Sequence, residues 1–209
     1  MERGTSIEEA KEIFGKGLIG PDELLKYSKQ IGIKIPALIP NIPYEPAELR
    51  ELYKNYLLVL GTSSMSSGDP LTLMSLREHF GVDSHLFEPC FYNQDWYLKE
   101  KFTTDPLNDD WYIIRKSVFH DSRAQNPEQM NADFKLPSAV QSAYAFFMNY
   151  FNTGEYLWEH DFIWCRDKDH NGDRIYVGKY HDISGINKNG FSIHRHLALR
   201  QCYGFIDTK

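Results

Sequence analysis

Residues 162–177, FIWCRDKDHNGDRIYV, place two aromatic and β-branched runs on either side of a polar stretch that contains Asn171-Gly172. Runs of this kind between turn residues are typical of strands, and Asn-Gly is the strongest short-range signal for a β-hairpin. The stretch therefore predicts an antiparallel hairpin. Aromatic runs of the same character predict further strands at residues 90–98 and 109–119.

A helix is predicted immediately before this hairpin. Ser138 is a good N-cap residue, and Gly154 is well placed to end the helix. Between them the apolar residues recur at the i, i+3, i+4, i+7 spacing of one helix face, which predicts a helix over 139–151. The positions that carry this pattern are Val140, Ala143, Tyr144, Phe147, Tyr150 and Phe151.

The first half of the chain has a different pattern. Helical spacing with capping residues predicts helices near 7–14, 21–31 and 70–80 and a fourth from Pro46, while 56–60 is an apolar run of strand length. Four prolines in 34–46 forbid a helix there and predict an extended, packed connector. We therefore expect an α+β protein with a helical N-terminal region, 1–85, and a mainly antiparallel-sheet domain, 86–209.

Composition narrows the class of protein. Of 209 residues 42% are hydrophobic and 14% aromatic, which is enough apolar surface for a folded core. The formal net charge of −6 argues against nucleic-acid binding and against binding to an anionic membrane. No apolar run reaches the roughly 18 residues of a membrane span, and Met1–Gly4 does not resemble a secretory signal, so we expect a cytoplasmic protein. The three cysteines show no CxxC spacing and are expected to be buried free thiols.

The hairpin turn itself carries a pattern found in calcium loops. Oxygen-bearing side chains alternate through D-x-D-x-N-G, so a divalent ion, Ca²⁺ or another, is one interpretation. The twelfth position is Gly178 instead of the bidentate Glu of an EF-hand, and the flanking segments look like strands, so a simple hairpin turn is the other interpretation. The two are compatible. The predicted metal ligands are Asp167, Asp169, Asn171 and Asp173.

Ligand contacts are predicted from polar groups beside aromatic rings. Asn93, Asp95 and Trp96 are such a set, although the rings in this segment could equally belong to the core. Arg195 lies between two histidines in a locally basic segment and could hold an anionic group. The predicted ligand-binding residues are Asn93, Asp95, Trp96, Trp158, Trp164 and Arg195.

The order of segments resembles that of a group of small uncharacterised bacterial proteins. The resemblance is carried by residues 18–61, 91–102, 111–118 and 136–178 and covers most of the chain. Within it, LPSA at 136–139, GDRIYVG at 172–178 and NGFSIHRHLALR at 189–200 are similar in layout to C-type-lectin-like domains of the formylglycine-generating-enzyme type. That resemblance implies a twisted antiparallel sheet with ligand-binding loops around 167–173 and 182–190.

Departures from the lectin pattern limit what this resemblance implies. The calcium-dependent sugar-binding motifs Glu-Pro-Asn and Trp-Asn-Asp are missing from the sequence, and so are paired cysteines. The oxidase cysteines of the formylglycine enzyme have no matching positions either. Neither calcium-dependent sugar binding nor that oxidase chemistry is therefore carried over, and a fold alone does not fix a function.

The sequence favours a non-catalytic ligand-binding or protein-interaction module that binds a protein or a glycan, because the common hydrolase, nucleotide and metalloprotease motifs are missing. The alternative is a divalent-metal-dependent enzyme such as a phosphoester hydrolase. In it Asp167, Asp169 and Asp173 would hold the ion, with His194 or His196 as acid-base and Arg195 on the anion. A third hypothesis is an assembly subunit that associates through exposed aromatics, and the sequence leaves the oligomeric state open.

Overall fold

The computed structural model describes residues 4–129, 134–180, 189–195 and 199–209. Within these ranges it contains five α-helices and seven strands in two mixed sheets. The predicted α+β class is confirmed.

The predicted N-terminal helices are present, and their ends follow from capping. Ser6 Oγ accepts the N–H of Glu9 at 3.1 Å, and the Glu23 carboxylate accepts the N–H of Gly20 at 2.9 Å. The helix predicted from residue 70 begins three residues later, because Thr72 is its N-cap. The elements are α1 (Ile7–Phe14), β1 (Leu18–Ile19), α2 (Pro21–Ile31), α3 (Pro46–Leu52), β2 (Tyr56–Leu60) and α4 (Leu73–Phe80).

The first sheet has the order β1-β2-β3, with β3 at Trp111–Arg115. Strand β2 runs parallel to β1 and antiparallel to β3, with Leu58 opposite Ile113. All five residues of β2 are buried, which explains its uninterrupted apolar sequence. Because β2 lies in 1–85 and β3 in 86–209, this sheet spans the predicted domain boundary.

The second sheet contains the predicted hairpin. Strands β4 (Phe162–Lys168) and β5 (Arg174–Tyr180) are antiparallel, and Gly172 supplies the positive φ of 88° in the turn between them. Strand β6 (Gly190–His194) continues the antiparallel pattern, whereas β7 (Tyr203–Gly204) is parallel to β4. The order is β6-β5-β4-β7. Most of the loop expected at 182–190 lies outside the described residues.

Helix α5 (Ala139–Thr153) packs against both sheets and forms the centre of the core. Every side chain from Ala139 to Asn149 is buried, as expected for a helix covered on all sides. Phe147 stacks on Phe80 of α4 with ring centroids 3.9 Å apart and also contacts Phe91. Residues from both predicted regions therefore share one hydrophobic core.

The predicted strand at 90–98 is not formed. Phe91 makes a single bridge to Phe191, and the chain then turns at 96–99. The reason is that a side chain replaces a backbone partner, since Gln94 Oε1 accepts the N–H of Ile193 at 3.1 Å. Trp96 Nε1 donates to the Ile193 carbonyl at 3.0 Å. The segment thus covers the edge of β6 with two backbone hydrogen bonds at Phe191 and with the side chains of Gln94 and Trp96, without extending the sheet.

Residues 203–209 connect the two sheets. After β7, Lys209 exchanges two backbone hydrogen bonds with Ile113 of β3, at 3.1 and 3.2 Å. The N–H of Thr208 donates to the carbonyl of Lys135 at 2.9 Å. One short segment therefore borders β4 at its beginning and β3 at its end.

Cys90 and Cys165 are buried free thiols, as predicted, and Cys202 is half-buried. Burial raises the pKa of the Cys90 thiol to about 11. In the parts of the chain that the structure describes, none of the helices combines the length and the apolar character needed to cross a bilayer.

Candidate functional site

Two of the three predicted ligand-binding tryptophans are in the core. Trp158 is 4% exposed and Trp164 is 1% exposed. Trp164 packs edge-on against Tyr176 with ring centroids 4.9 Å apart. Neither ring N–H has a hydrogen-bond partner among the described residues. Their burial leaves little ring surface for a ligand, and their role in binding stays a prediction.

The third tryptophan is held by the protein itself. Trp96 is half-buried, and the guanidinium of Arg195 lies over its ring at 4.7 Å from the centroid, a cation–π contact. Asn93 and Asp95 are exposed nearby, and Asp95 lies 3.8 Å from Arg77. Of the predicted ligand-binding residues, Trp96 and Arg195 are therefore in contact with each other.

Asp169 organises the hairpin turn. Its Oδ1 accepts the N–H groups of Asn171 and Asp173, both at 2.9 Å, and its Oδ2 accepts from Arg195 Nη1 at 2.9 Å. Burial opposes ionisation of this carboxyl group, but the donors from Asp173, Arg195 and Asn171 outweigh it and lower the pKa of Asp169. The carboxylate oxygens are therefore already occupied by protein donors.

The other predicted metal ligands point elsewhere. Asp167 Oδ2 accepts the N–H of Ala139 at 2.5 Å, at the start of α5, and burial raises the pKa of Asp167. Asn171 is exposed and Asp173 is half-buried. Within the described residues, these aspartates do not form a group with converging ligand atoms. A bound ion at this turn stays a prediction.

Ligand atoms do come together at a different place in the structure. We call the group formed there the Glu100 cluster; its members are Glu100, Asp169, His170 and Arg195. Glu100 is 7% exposed, and its Oε1 lies 2.6 Å from His170 Nδ1. Its Oε2 accepts the backbone N–H of His170 at 2.9 Å. One ligand atom from each of Glu100, Asp169 and His170 lies within 4.8 Å of the others. Sequence spacing does not reveal the cluster, because Glu100 is distant in the chain.

His194 does not belong to the Glu100 cluster, and it contacts Tyr176 and Ser192. It stacks on Tyr176 with centroids 5.3 Å apart, and its Nε2 lies 3.1 Å from Ser192 Oγ. Burial lowers the pKa of His194 to about 4. Its imidazole is therefore neutral at pH 7, and its place is within the aromatic packing of β5 and β6. His196 lies outside the described residues.

A groove that the sequence did not predict lies between the proline-rich connector and the start of α5. Two adjoining cavities, of about 440 and 640 Å³, share part of their walls. We call their combined surface the Tyr44 groove. The shared walls are Tyr44, Phe134, Lys135, Thr208 and Lys209. The first cavity adds Pro43, Asp110, Trp111, Tyr112, Leu136, Gln141 and Arg166, and the second adds Glu48 and Asp207.

One wall of the groove is the proline-rich connector. Trp111 Nε1 of β3 donates to the carbonyl of Pro40 at 2.8 Å, and Thr5 Oγ1 donates to the carbonyl of Tyr44 at 2.5 Å. These two bonds fix an extended segment that has no secondary structure of its own. Burial, with the carboxylates of Asp110 and Glu48, raises the pKa of Tyr44 to about 12. The Tyr44 phenol therefore keeps its proton at pH 7.

The opposite wall is built by the start of α5 and the segment before it. Gln141 stands in the first turn of α5, where its Oε1 accepts the N–H of Ser138 at 2.8 Å. Phe134 is 38% exposed and packs edge-on against Phe119, with centroids 5.2 Å apart. The groove thus joins segments that are distant in sequence, so no local motif could have indicated it.

None of the site residues predicted from the sequence lines the Tyr44 groove. Comparisons of the chain with protein-family models, with curated proteins and with solved structures find no match. The resemblance to C-type-lectin-like domains therefore stays a prediction.

Proposed function

We propose that this protein is a non-catalytic binding module and that its ligand, a glycan, occupies the Tyr44 groove. The observation that carries the proposal is the groove itself, which combines aromatic rings with hydroxyl, amide and charged groups. Concave sites with this mixture of apolar walls and a few polar groups are the usual places where small ligands bind.

The chemistry of the lining suits a hydroxylated ligand. A sugar ring presents an apolar C–H face, which the rings of Tyr44, Tyr112 and Phe134 can cover, and hydroxyl groups that need both donors and acceptors. Tyr hydroxyls both donate and accept, and carboxylates such as Asp110 accept. This set of groups serves binding without requiring a covalent step.

The protonation of Tyr44 supports binding over proton transfer. A general acid or base works best when its pKa lies near the operating pH. The pKa of Tyr44 is raised to about 12, so the phenol is a stable hydrogen-bond donor at pH 7 and a poor proton carrier.

The proposal is tested by probing an array of neutral and acidic oligosaccharides with the labelled protein, followed by calorimetric titration of the bound glycan. Phe134→Ala removes an exposed ring from the groove, and we expect it to weaken binding about tenfold or more, or about 1.4 kcal/mol. The ratio of dissociation constants for the variant and the wild type is the measured quantity.

Phe87→Ala is the matched control. Phe87 is 43% exposed, packs against one ring, Phe80, at 6.0 Å, and does not line the groove. We expect this variant to bind with wild-type affinity. If no glycan on the array binds, or if both variants lose affinity equally, the proposal is wrong.

A second candidate function is a divalent-metal-dependent enzyme such as a phosphoester hydrolase. The converging ligand atoms of Glu100, Asp169 and His170 favour it. Against it, Arg195 Nη1 occupies Asp169 Oδ2 at 2.9 Å and lies 3.9 Å from Glu100 Oε1. An ion would have to displace that guanidinium, which makes this the weaker proposal.

Thermal unfolding of chelator-treated protein with added Mg²⁺, Ca²⁺, Mn²⁺ or Zn²⁺ tests the second candidate. An ion at 100 times its Kd would stabilise the native state by about 2.7 kcal/mol and raise the midpoint by several degrees. Glu100→Gln should abolish this ion-dependent increment, whereas Glu51→Gln, at an exposed position of α3, should keep it. An ion that stabilises must then also support hydrolysis of p-nitrophenyl phosphate, and absence of either effect rejects the enzyme.

A further inference from the structure

The two cavities of the Tyr44 groove differ in charge. The first is lined by three basic residues, Lys135, Arg166 and Lys209, and by one acidic residue, Asp110. The second has two of each sign, Lys135 and Lys209 against Glu48 and Asp207. The positive excess therefore lies at the first cavity, in a chain whose formal net charge is −6.

Two of these basic groups are available to a ligand. Arg166 and Lys135 are exposed, and neither forms an ion pair with any residue that the structure describes. Lys209, in contrast, lies 3.8 Å from Glu48 Oε1. Arg166 stands on β4, where its backbone N–H donates to the carbonyl of Pro137 at 2.9 Å. This bond fixes the position of its backbone beside the start of α5.

Among the described residues, Asp110 and Asp167 form no ion pair with Arg166 or Lys135. Burial raises the pKa of Asp167, while the N–H of Ala139 and the charge of Arg166 act to lower it, so Asp167 offsets part of the Arg166 charge through space. Asp110 Oδ1 accepts the N–H of Trp111 at 2.8 Å, and Asp167 Oδ2 accepts the N–H of Ala139. Both carboxylates are thus engaged with backbone donors. An arginine fork pairs well with a planar carboxylate or with a phosphate, and a lysine beside it adds a second positive charge.

We propose that the glycan bound in the Tyr44 groove carries an anionic group, a carboxylate or a phosphate, and that Arg166 and Lys135 hold this group in the first cavity. The inference rests on the function proposed above and specifies its ligand. The aromatic rings would then contact the sugar, while the two basic side chains select the acidic form.

The experiment compares pairs of related ligands in which one member carries the anionic group and the other is neutral. One arm titrates the full chain with tri-galacturonic acid and with its methyl ester, and the other arm uses glucose 6-phosphate and glucose. At low ionic strength we expect the anionic member of at least one pair to bind about tenfold more tightly than its neutral partner. The arm that shows the difference identifies carboxylate or phosphate as the preferred group.

Variants assign the effect to a residue. Arg166→Gln should reduce the affinity ratio of the anionic to the neutral ligand to near one, mainly by weakening the binding of the anionic ligand. Arg200→Gln is the matched control, because Arg200 is exposed, does not line the groove and should leave the ratio unchanged.

The outcomes separate the two proposals. Equal binding of anionic and neutral ligands overturns the inference about charge and leaves the glycan-binding function standing. An anionic preference that survives Arg166→Gln also overturns it, because another residue must then be responsible. Failure of all four ligands to bind, together with an empty oligosaccharide array, overturns both proposals.

Discussion

At the scale of single residues, His194 makes stability depend on pH. Its folded-state pKa of about 4 lies below the ordinary value of 6.5, so the unfolded chain binds a proton before the folded one does. The stabilisation is complete above pH 6.5 and is lost as the pH falls toward 4. Phe cannot titrate, so the His194→Phe variant lacks this loss. When the pH is lowered from about 7 to about 4.5, we expect the unfolding free energy of the wild type to fall by roughly 2 kcal/mol more than that of the variant.

Denaturant unfolding of both proteins across this pH range measures the difference. His120→Gln is the control, because His120 is fully exposed and its replacement should leave the pH dependence of the wild type intact. If the unfolding free energies of His194→Phe and the wild type changed with pH by the same amount, the prediction would be wrong, because His194 would then bind its proton equally well in the folded and unfolded chains.

At the scale of secondary-structure elements, α5 is expected to dominate stability. Phe147 is fully buried and contacts Phe80, Phe91 and Phe191 from three other segments. Phe147→Ala should therefore cost about 3 to 5 kcal/mol of unfolding free energy, measured by denaturant titration. Phe87→Ala, at a partly exposed site, should cost about 1 kcal/mol or less. Similar losses in both variants would contradict this view of the core.

The elements also show what sequence patterns can predict. Helix α5 and the β4–β5 hairpin were predicted correctly, because their spacing, caps and Asn-Gly turn act within a few residues. The prediction of a strand at 90–98 was wrong. Gln94 and Trp96 form hydrogen bonds to Ile193 of β6 through their side chains, and composition does not reveal such bonds. The Tyr44 groove and the Glu100 cluster were missed for a related reason, since tertiary packing alone brings their members together.

At the scale of the whole molecule, the two predicted regions share one hydrophobic core and one sheet, so we expect each to need the other in order to fold. A fragment of residues 1–85 contains β2 but lacks β3, its antiparallel partner, and also lacks α5. We expect this fragment to be unfolded, with no cooperative transition in circular dichroism and poor dispersion in its amide NMR spectrum. A cooperative transition would instead support independent domains with the predicted boundary.

The segment 203–209, which borders both sheets, has a consequence for biosynthesis. During translation β3 leaves the ribosome well before Thr208 and Lys209 do, so its outer edge has no partner for much of that time. Unpaired strand edges are where chains associate wrongly. The nascent chain should therefore depend on chaperones more than the folded protein does, and slowing translation over the codons between β3 and Thr208 should increase aggregation in the cell.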